Sequence, residues 1–424
     1  MISLDLLRDD PDRVRRDMGD KRIGDPAAVD RAVDADSRRR EAVTALDAKR
    51  QRQGELGREI GPLMKAGKRD EAQGLLAESN ALKAEIKTGE DEVRELDATL
   101  RAALLEIPNT LHPSVPRGGE DANRVEMEWG TKPTFEFEAL PHWDLAEKHG
   151  LVDFERGAKV AGAGFPFYVG RGARLQRALI ALFLDLATEA GYTEIQAPVL
   201  VNEASGIGTG QLPDKEGQMY HATADDLYLV PTAEVPLTNY LRDEVLAAGD
   251  LPRLYTGYTP CFRREAGSYG KDVRGLNRLH QFDKVELVRF VHPDESYDHL
   301  EALLADAERA VQALGLPYRR LTLASGDLGV TQAKTYDLEV WSAGQARWLE
   351  VSSVSNFEAY QARRANVRFR PAEGEKPRFV HTLNGSALAL PRIVAALLEN
   401  GQQADGSIRL PERLAAMAGF DTIG

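Results

Sequence analysis

Phe262–Glu286 reads FRREAGSYGKDVRGLNRLHQFDKVE, with charged and apolar residues alternating at both ends and glycines at 267, 270 and 275 between them. Alternation predicts two strands, since successive side chains on an extended chain point to opposite faces. Arg263 and Glu265 would share one strand face, and Lys284 and Glu286 repeat that spacing. The glycines between them suit a loop able to close over a ligand. Such a strand–loop–strand unit could aim arginine, carboxylate and the ring of Phe282 into one concave surface fit for an anionic nucleotide. Taken alone, an exposed hairpin laced with salt bridges is the simpler reading, and the glycines count against it. No GxxxxGK[ST] phosphate loop occurs anywhere in the chain.

Outward from that stretch, 424 residues with 42% hydrophobic content are enough for more than one domain with a sizeable core. A net charge of -13 argues against indiscriminate binding to nucleic acid or membrane, so a nucleic-acid partner would have to meet a local basic patch. Cys261 is the single cysteine; it permits no internal disulfide and no cysteine-rich zinc site, and no HExxH occurs. A cytoplasmic setting fits, with nothing that targets or spans a membrane.

After a short leader, Asp25 and Pro26 form an N-cap and first-turn signal for a long helix. Its apolar positions are Val29, Val33, Val43, Leu46, Leu56 and Ile60, and Gly61 with Pro62 should kink or end it. Asp70, with Gln73 three residues on, is placed to cap a second helix whose stripe runs through Leu75, Leu82, Ile86, Val93, Leu96, Leu100 and Ile107. The two arms read as an antiparallel hairpin, each reaching roughly 50 Å at 1.5 Å per residue. PNTLHPSVPRG, residues 108–118, carries three prolines and is expected to link residues 1–107 to a second domain, 119–424. There, helical stretches such as Leu175–Ala190 alternate with strands at Tyr228–Val230, Lys284–Arg289 and Thr335–Trp341. The expected class is α+β, a mixed, mainly antiparallel sheet flanked by helices, with an N-terminal two-helix coiled coil.

Three further constellations stand out. In Pro231–Glu234 a hydroxyl, Thr232, precedes a carboxylate, Glu234, by two residues, which suits an ammonium group on an extended chain or, more simply, a helix N-cap. Glu350, Ser352 and Ser353 could hold a divalent cation against phosphate oxygens, or merely end an amphipathic strand. In HTLNGSALALPRIVAALLEN, Asn384, Gly385 and Ser386 read as a turn into a helix that carries Arg392; a capped core helix explains Leu388, Ile393 and Leu397 but not that arginine.

In this order the pieces resemble the class II aminoacyl-tRNA synthetases: GYTEIQAP at 191–198 is similar to motif 1, the stretch with Arg263 to motif 2, and the segment with Arg392 to motif 3. The finer resemblance is to the seryl-tRNA synthetase family, through TGQLP from Thr209, PTAEVPLTN from Pro231, CFRREAGSYGKDVRGLNRLHQFDKVE from Cys261, KTYDLEVW from Lys334 and HTLNGSALA from His381, and it covers nearly the whole chain. It implies ATP contacts from Arg263, Arg264, Glu265, Phe282, Glu350, Val351, Ser352, Ser353 and Arg392, with Arg263 and Arg392 catalytic. It implies serine contacts from Thr232, Ala233, Glu234, Arg263, Glu286, Asn384 and Ser386, and Mg2+ at Glu350 and Ser353; no zinc is expected. The hairpin would hold tRNA(Ser) through candidates Arg38, Arg39, Arg40, Lys49, Arg50, Arg52, Arg58, Lys68, Lys83 and Lys87, and a homodimer would form through the motif 1 region around Pro198. The loop 267–276 would meet the tRNA acceptor end.

The implied reaction is ATP-dependent formation of seryl-adenylate followed by transfer of serine to the terminal adenosine of tRNA(Ser). A synthetase-like enzyme charging a carrier protein is the competing enzyme reading, which the full-length hairpin disfavours. A coiled-coil scaffold leaves Glu234, Arg263, Glu286, Glu350 and Arg392 unexplained.

Overall fold

The computed structural model describes residues 1–214, 216–266 and 274–424, and divides into two units, Ile2–Pro108 and Asn109–Gly424 with Met1. Gly267 and Gly270, and most of the loop expected to meet the acceptor end, lie outside the described residues.

The first unit opens with two helices that the leader conceals, α1 (Leu4–Asp9), capped by Ser3, and α2 (Pro11–Lys21), capped by Asp10. The hairpin follows as α3 (Ala27–Lys65) and α4 (Arg69–Glu106). Cross-helix pairs Arg39–Asp97, Arg50–Glu90 and Arg52–Glu78 fix the arms as antiparallel. Leu46 packs so closely on Gly89 that a Cβ there would meet it at 3.2 Å. Val33, expected in the stripe, is exposed. Pro62 does not end α3: it stands in the last turn, where it removes one hydrogen bond, and the helix stops only after Lys65, with Gly67 at φ 74°. Asp70 does not cap α4; Lys68 holds that position without a capping side-chain bond, and Asp70 lies in the first turn, where its charge favours the positive end of the helix dipole.

In the second unit, residues 109–118 are packed rather than loose: Asn109 donates to the carbonyls of Thr331 and Phe357, and Leu111 and Val115 join Leu323 and Leu328 in a small core. The main sheet has eight strands: β1 (Arg124–Trp129), β2 (Thr193–Glu194), β3 (Arg253–Phe262), β4 (Gln281–Val291), β5 (Tyr318–Thr322), β6 (Lys334–Ser342), β7 (Arg347–Asn356) and β8 (His381–Ala389), in the spatial order β1-β5-β6-β7-β8-β4-β3-β2. Every pairing is antiparallel except β2 with β3. The helices α6 (Arg171–Glu189), α8 (Ser296–Ala313) and α9 (Leu390–Gly401) share one core with the sheet. Two short helices bear on the site, α5 (His142–Lys148) and α7 (Glu234–Asn239). No helix among the described residues is long and apolar enough to cross a membrane.

Two local expectations change. Arg263 and Glu265 do not share a strand face, because β3 ends at Phe262 and Glu265 turns the chain at φ 49°. Asn384–Ser386 is not a turn but the middle of β8, buried between β7 and β4. Gly385 is needed there for packing, since a Cβ would come within 3.0 Å of Val354. The change of direction falls later, at Leu388, whose φ of 75° is uncommon for a branched side chain and leads the strand into α9.

Candidate active site

A cleft of about 530 Å³ lies over the middle of the sheet, within the range of small-molecule sites. Thr232, Glu234, Arg263, Glu265, Phe282, Glu286, Glu350, Val351, Ser352, Ser353, Asn384, Ser386 and Arg392, far apart in sequence, all line it. Ala233 and Arg264 stand outside the lining. Ala233 is buried in a core with Leu237, Val288 and Phe290, while Arg264 donates from Nε to the Met219 carbonyl at 3.1 Å and lies over the Tyr220 ring.

One end of the cleft is acidic and closely packed. The Thr232 Oγ1 accepts from Glu234 N at the start of α7, close to the capping role expected, although Ala233 holds the N-cap position itself, and it donates to Glu286 Oε2 at 2.9 Å. Glu286 also pairs with the buried Lys284 on the same strand, where a bulge in the β4–β8 register falls between the two. Glu234 accepts from Gln361 Nε2 at 2.6 Å, and Gln361 in turn accepts from Thr382. Burial first, then the charge of Glu286, push the Glu234 carboxyl up to about 7. Asn384 turns a buried Nδ2 toward Glu234, and this contact partly offsets the upward shift of the Glu234 carboxyl, although the amide makes no hydrogen bond of good geometry among the described residues. A buried donor so weakly matched is costly, so this end suits a polar ligand that would complete its hydrogen bonding.

The other end is cationic. The Arg263 guanidinium carbon lies 5.1 Å from the centroid of Phe282, and its Nε donates to the Pro231 carbonyl at 3.2 Å. A hydrogen bond at 2.9 Å from Arg263 N to the His280 carbonyl holds its backbone. Arg392, three residues into α9, donates to the Glu350 carbonyl at 2.7 Å and from Nε to the Asn277 carbonyl at 3.1 Å. Glu265 is tied to Arg278 at 2.6 Å. On β7, Ser352 donates to the Ser386 carbonyl at 2.8 Å, and Ser353 donates to Asp337 of β6. Burial, followed by the nearby Glu350, holds the Asp337 carboxyl well above the usual range. Cys261 is buried inside β3 and burial raises its thiol, so it offers no thiolate nucleophile.

The supporting groups Lys284, Gln361, Asp337 and Asn277 were not singled out as site residues from the sequence. Lys284 and Asp337 sit inside the family motifs, at the alternate positions that face the site residues. Asn277 also lies inside the quoted 261–286 stretch, whereas Gln361 carries no local signal.

Comparison with known proteins adds a second line of evidence. Residues 1–111 match the seryl-tRNA synthetase N-terminal domain, and residues 219–401 match the tRNA synthetase class II core domain (G, H, P, S and T). A serine–tRNA ligase of Salinibacter ruber is 60% identical over 100% of this chain and 99% of its own length. Among solved structures, seryl-tRNA synthetase from Pyrococcus horikoshii complexed with ATP superposes with a TM-score of 0.93 at 37% identity, covering 100% of this chain and 99% of that one. The cytoplasmic serine–tRNA ligase of Naegleria fowleri in complex with AMP gives 0.87 at 28% identity, over 100% and 98% of the two chains.

Proposed function

Since this chain belongs to the seryl-tRNA synthetases and is a serine–tRNA ligase, we propose that its cleft holds L-serine at the acidic end and ATP at the cationic end, and joins them there. The observation that carries this assignment is the contrast between the ends: buried carboxylates, a hydroxyl and the weakly matched Asn384 amide at one, two arginines and an aromatic ring at the other. Glu234, Glu286, Thr232, Asn384 and Ser386 surround a small zwitterion with one hydroxyl, with Ala233 as backbone support. An apolar side chain in that space would leave several of them unpaired, so alanine is rejected by its missing hydroxyl and threonine by its size.

Phe282 stacks on adenine and Glu265 contacts the base. Arg263 bridges the α-phosphate and the serine carboxylate, and Arg392 takes the γ-phosphate, with Val351 and Ser352 close to the nucleotide. The serine carboxylate attacks the α-phosphorus in line, and the bond to pyrophosphate breaks. The terminal adenosine hydroxyl of tRNA(Ser) then attacks the seryl carbonyl and releases AMP. Positioning and charge stabilisation account for both steps, and no side chain forms a covalent intermediate. Glu350 and Ser353 offer oxygen donors that would suit Mg2+, with the Asp337 carboxyl, raised first by burial and then by Glu350, accepting from Ser353 beside them. When bound with the nucleotide, that ion neutralises triphosphate charge.

The hairpin of α3 and α4 is the arm for tRNA(Ser). A homodimer through the motif 1 region is supported by exposed Val199 and Leu200 beside Pro198, following the edge strand β2. The cytoplasm is the setting that the single buried thiol suits. Serine-dependent ATP–pyrophosphate exchange tests the assignment: Arg263→Ala abolishes it, and a near-normal exchange rate in a folded variant would overturn the reading.

A further inference from the structure

His142 is fully buried, yet no step above uses it. It is the first residue of α5, and its three nitrogens are all engaged. Its backbone N and its Nδ1 both meet Glu399 Oε1, at 2.9 and 2.8 Å, and its Nε2 accepts from the backbone N–H of Leu276 at 2.8 Å. An amide N–H can only donate, so Nε2 carries the lone pair and Nδ1 the proton: the ring is neutral and its tautomer is fixed. Glu399, also fully buried, accepts through its other oxygen from Ser342 Oγ and from Gly344 N at 3.0 Å, while Gln345 Nε2 reaches Oε1 at 3.0 Å. Burial pushes its carboxyl up, but the bonds from His142 and Ser342 outweigh burial and leave it below its ordinary value.

The cluster bears on the return limb of the segment between β3 and β4. Gly275 sits at φ 68°, and a Cβ there would come within 2.3 Å of His142 Nε2, so the backbone runs directly against the ring. One residue beyond Leu276, Asn277 donates from Nδ2 to Gln345 Oε1 at 2.9 Å and offers its carbonyl to Arg392 Nε at 3.1 Å. Arg392 and Glu399 lie on the same helix, seven residues or about two turns apart and therefore on nearly the same face. The contacts close a ring: Glu399 holds His142, His142 holds Leu276, the adjoining residue Asn277 holds Arg392, and α9 joins Arg392 back to Glu399.

We propose that His142 and Glu399 are positioning residues for the adenylation step, fixing the 275–277 backbone so that the Asn277 carbonyl aims the Arg392 guanidinium at the nucleotide. This inference rests on the assignment of Arg392 to ATP. It separates positioning from plain support, because it touches the ATP end of the cleft and, among the described residues, makes no hydrogen bond with the serine end. Removing the acceptor leaves the Leu276 N–H buried without a partner and lets the peptide shift.

The test is ATP–pyrophosphate exchange with KM for ATP and KM for serine measured separately, together with thermal unfolding. His142→Leu raises KM for ATP about tenfold and lowers kcat, with KM for serine within about twofold, the scale set by the loss of one buried hydrogen bond. His142→Gln, whose amide can both accept from Leu276 and donate to Glu399, recovers most of that loss. Glu399→Gln, of equal volume, shows the same ATP-selective pattern more weakly and serves if His142→Leu fails to fold. The inference is overturned if folded variants keep KM for ATP and kcat near wild type, if both KM values rise together, or if His142→Gln is as impaired as His142→Leu. Arg392→Ala is measured alongside: an unchanged KM for ATP would remove the reading of Arg392 itself, whereas a raised value with a silent His142→Leu would remove only this inference.

Discussion

Along the hairpin, Arg39, Lys49, Arg50 and Arg52 each face an acid on the opposite helix, whereas in the cleft the buried Asn384 amide makes no hydrogen bond of good geometry among the described residues and Glu234 is held near neutrality by burial and a like charge. The hairpin spends its charge on itself, at exposed positions where each pair contributes little. The cleft keeps groups that the fold does not satisfy, at positions where leaving them unsatisfied costs most. Chemistry is therefore expected of the second region and shape of the first.

The largest test separates the two regions outright. Deleting residues 26–107 and joining the ends with a short linker is expected to leave serine-dependent pyrophosphate exchange within a few-fold and to reduce tRNA charging by about a hundredfold or more, the scale of removing a nucleic-acid interface. Charging at the normal rate would assign the arm no part in the reaction.

The next effect is a pH dependence. The Glu234 carboxyl is raised from 4.5 to about 7, so in the free enzyme it is largely protonated below that pH and ionised above it. The stability associated with the raised value is fully present below pH 4.5 and is lost as pH rises through about 7. Serine binding runs the other way, because its ammonium group prefers the ionised carboxylate. KM for serine should fall as pH rises through this range, changing by up to about tenfold per pH unit on the acid side, since only the ionised fraction binds well. Glu234→Gln should flatten the profile and raise KM at pH 8. A wild-type KM that is flat from pH 6 to pH 8 would detach Glu234 from the ammonium.

The same contrast governs what could be read from the sequence. Periodicity found the helix at 175–190 and the strands at 284–289 and 335–341, because each buries one face against a single core. It failed at Asn384–Ser386, where turn-forming residues lie inside a central strand: both neighbours pair with that backbone, and Gly385 is required by Val354 rather than by a turn. It also extended β3 too far, since the chain turns at Glu265, whose φ of 49° and pairing to Arg278 no local alternation signals. The leader was passed over although Asp10–Pro11 is a good start signal, because the helices there are short. The groups lining the cleft were found through ordered motifs. Gln361 and His142 were not, because Gln361 lies 127 residues from Glu234 and His142 lies 134 from Leu276, and no spacing rule spans such distances.

The smallest predicted effect divides the hairpin itself. Of its ten candidate cations, most are neutralised by acids, but among the described residues Arg58, Lys83 and Lys87 make no ion pair. Those three are the ones free to trade counterions for tRNA phosphates. Replacing each with alanine should weaken tRNA binding a few-fold and make the log–log salt dependence shallower by about one for each phosphate that is no longer neutralised. Arg52 is the control: it already faces Glu78, Glu55 and Glu59, so to meet a phosphate it must first break those pairs. Arg52→Ala should leave the salt slope and the unfolding midpoint close to wild type. A steeper loss at Arg52 than at Lys83 or Lys87 would mean that the arm rearranges its own pairs when it takes up tRNA, and the self-satisfied hairpin would then describe only the free enzyme.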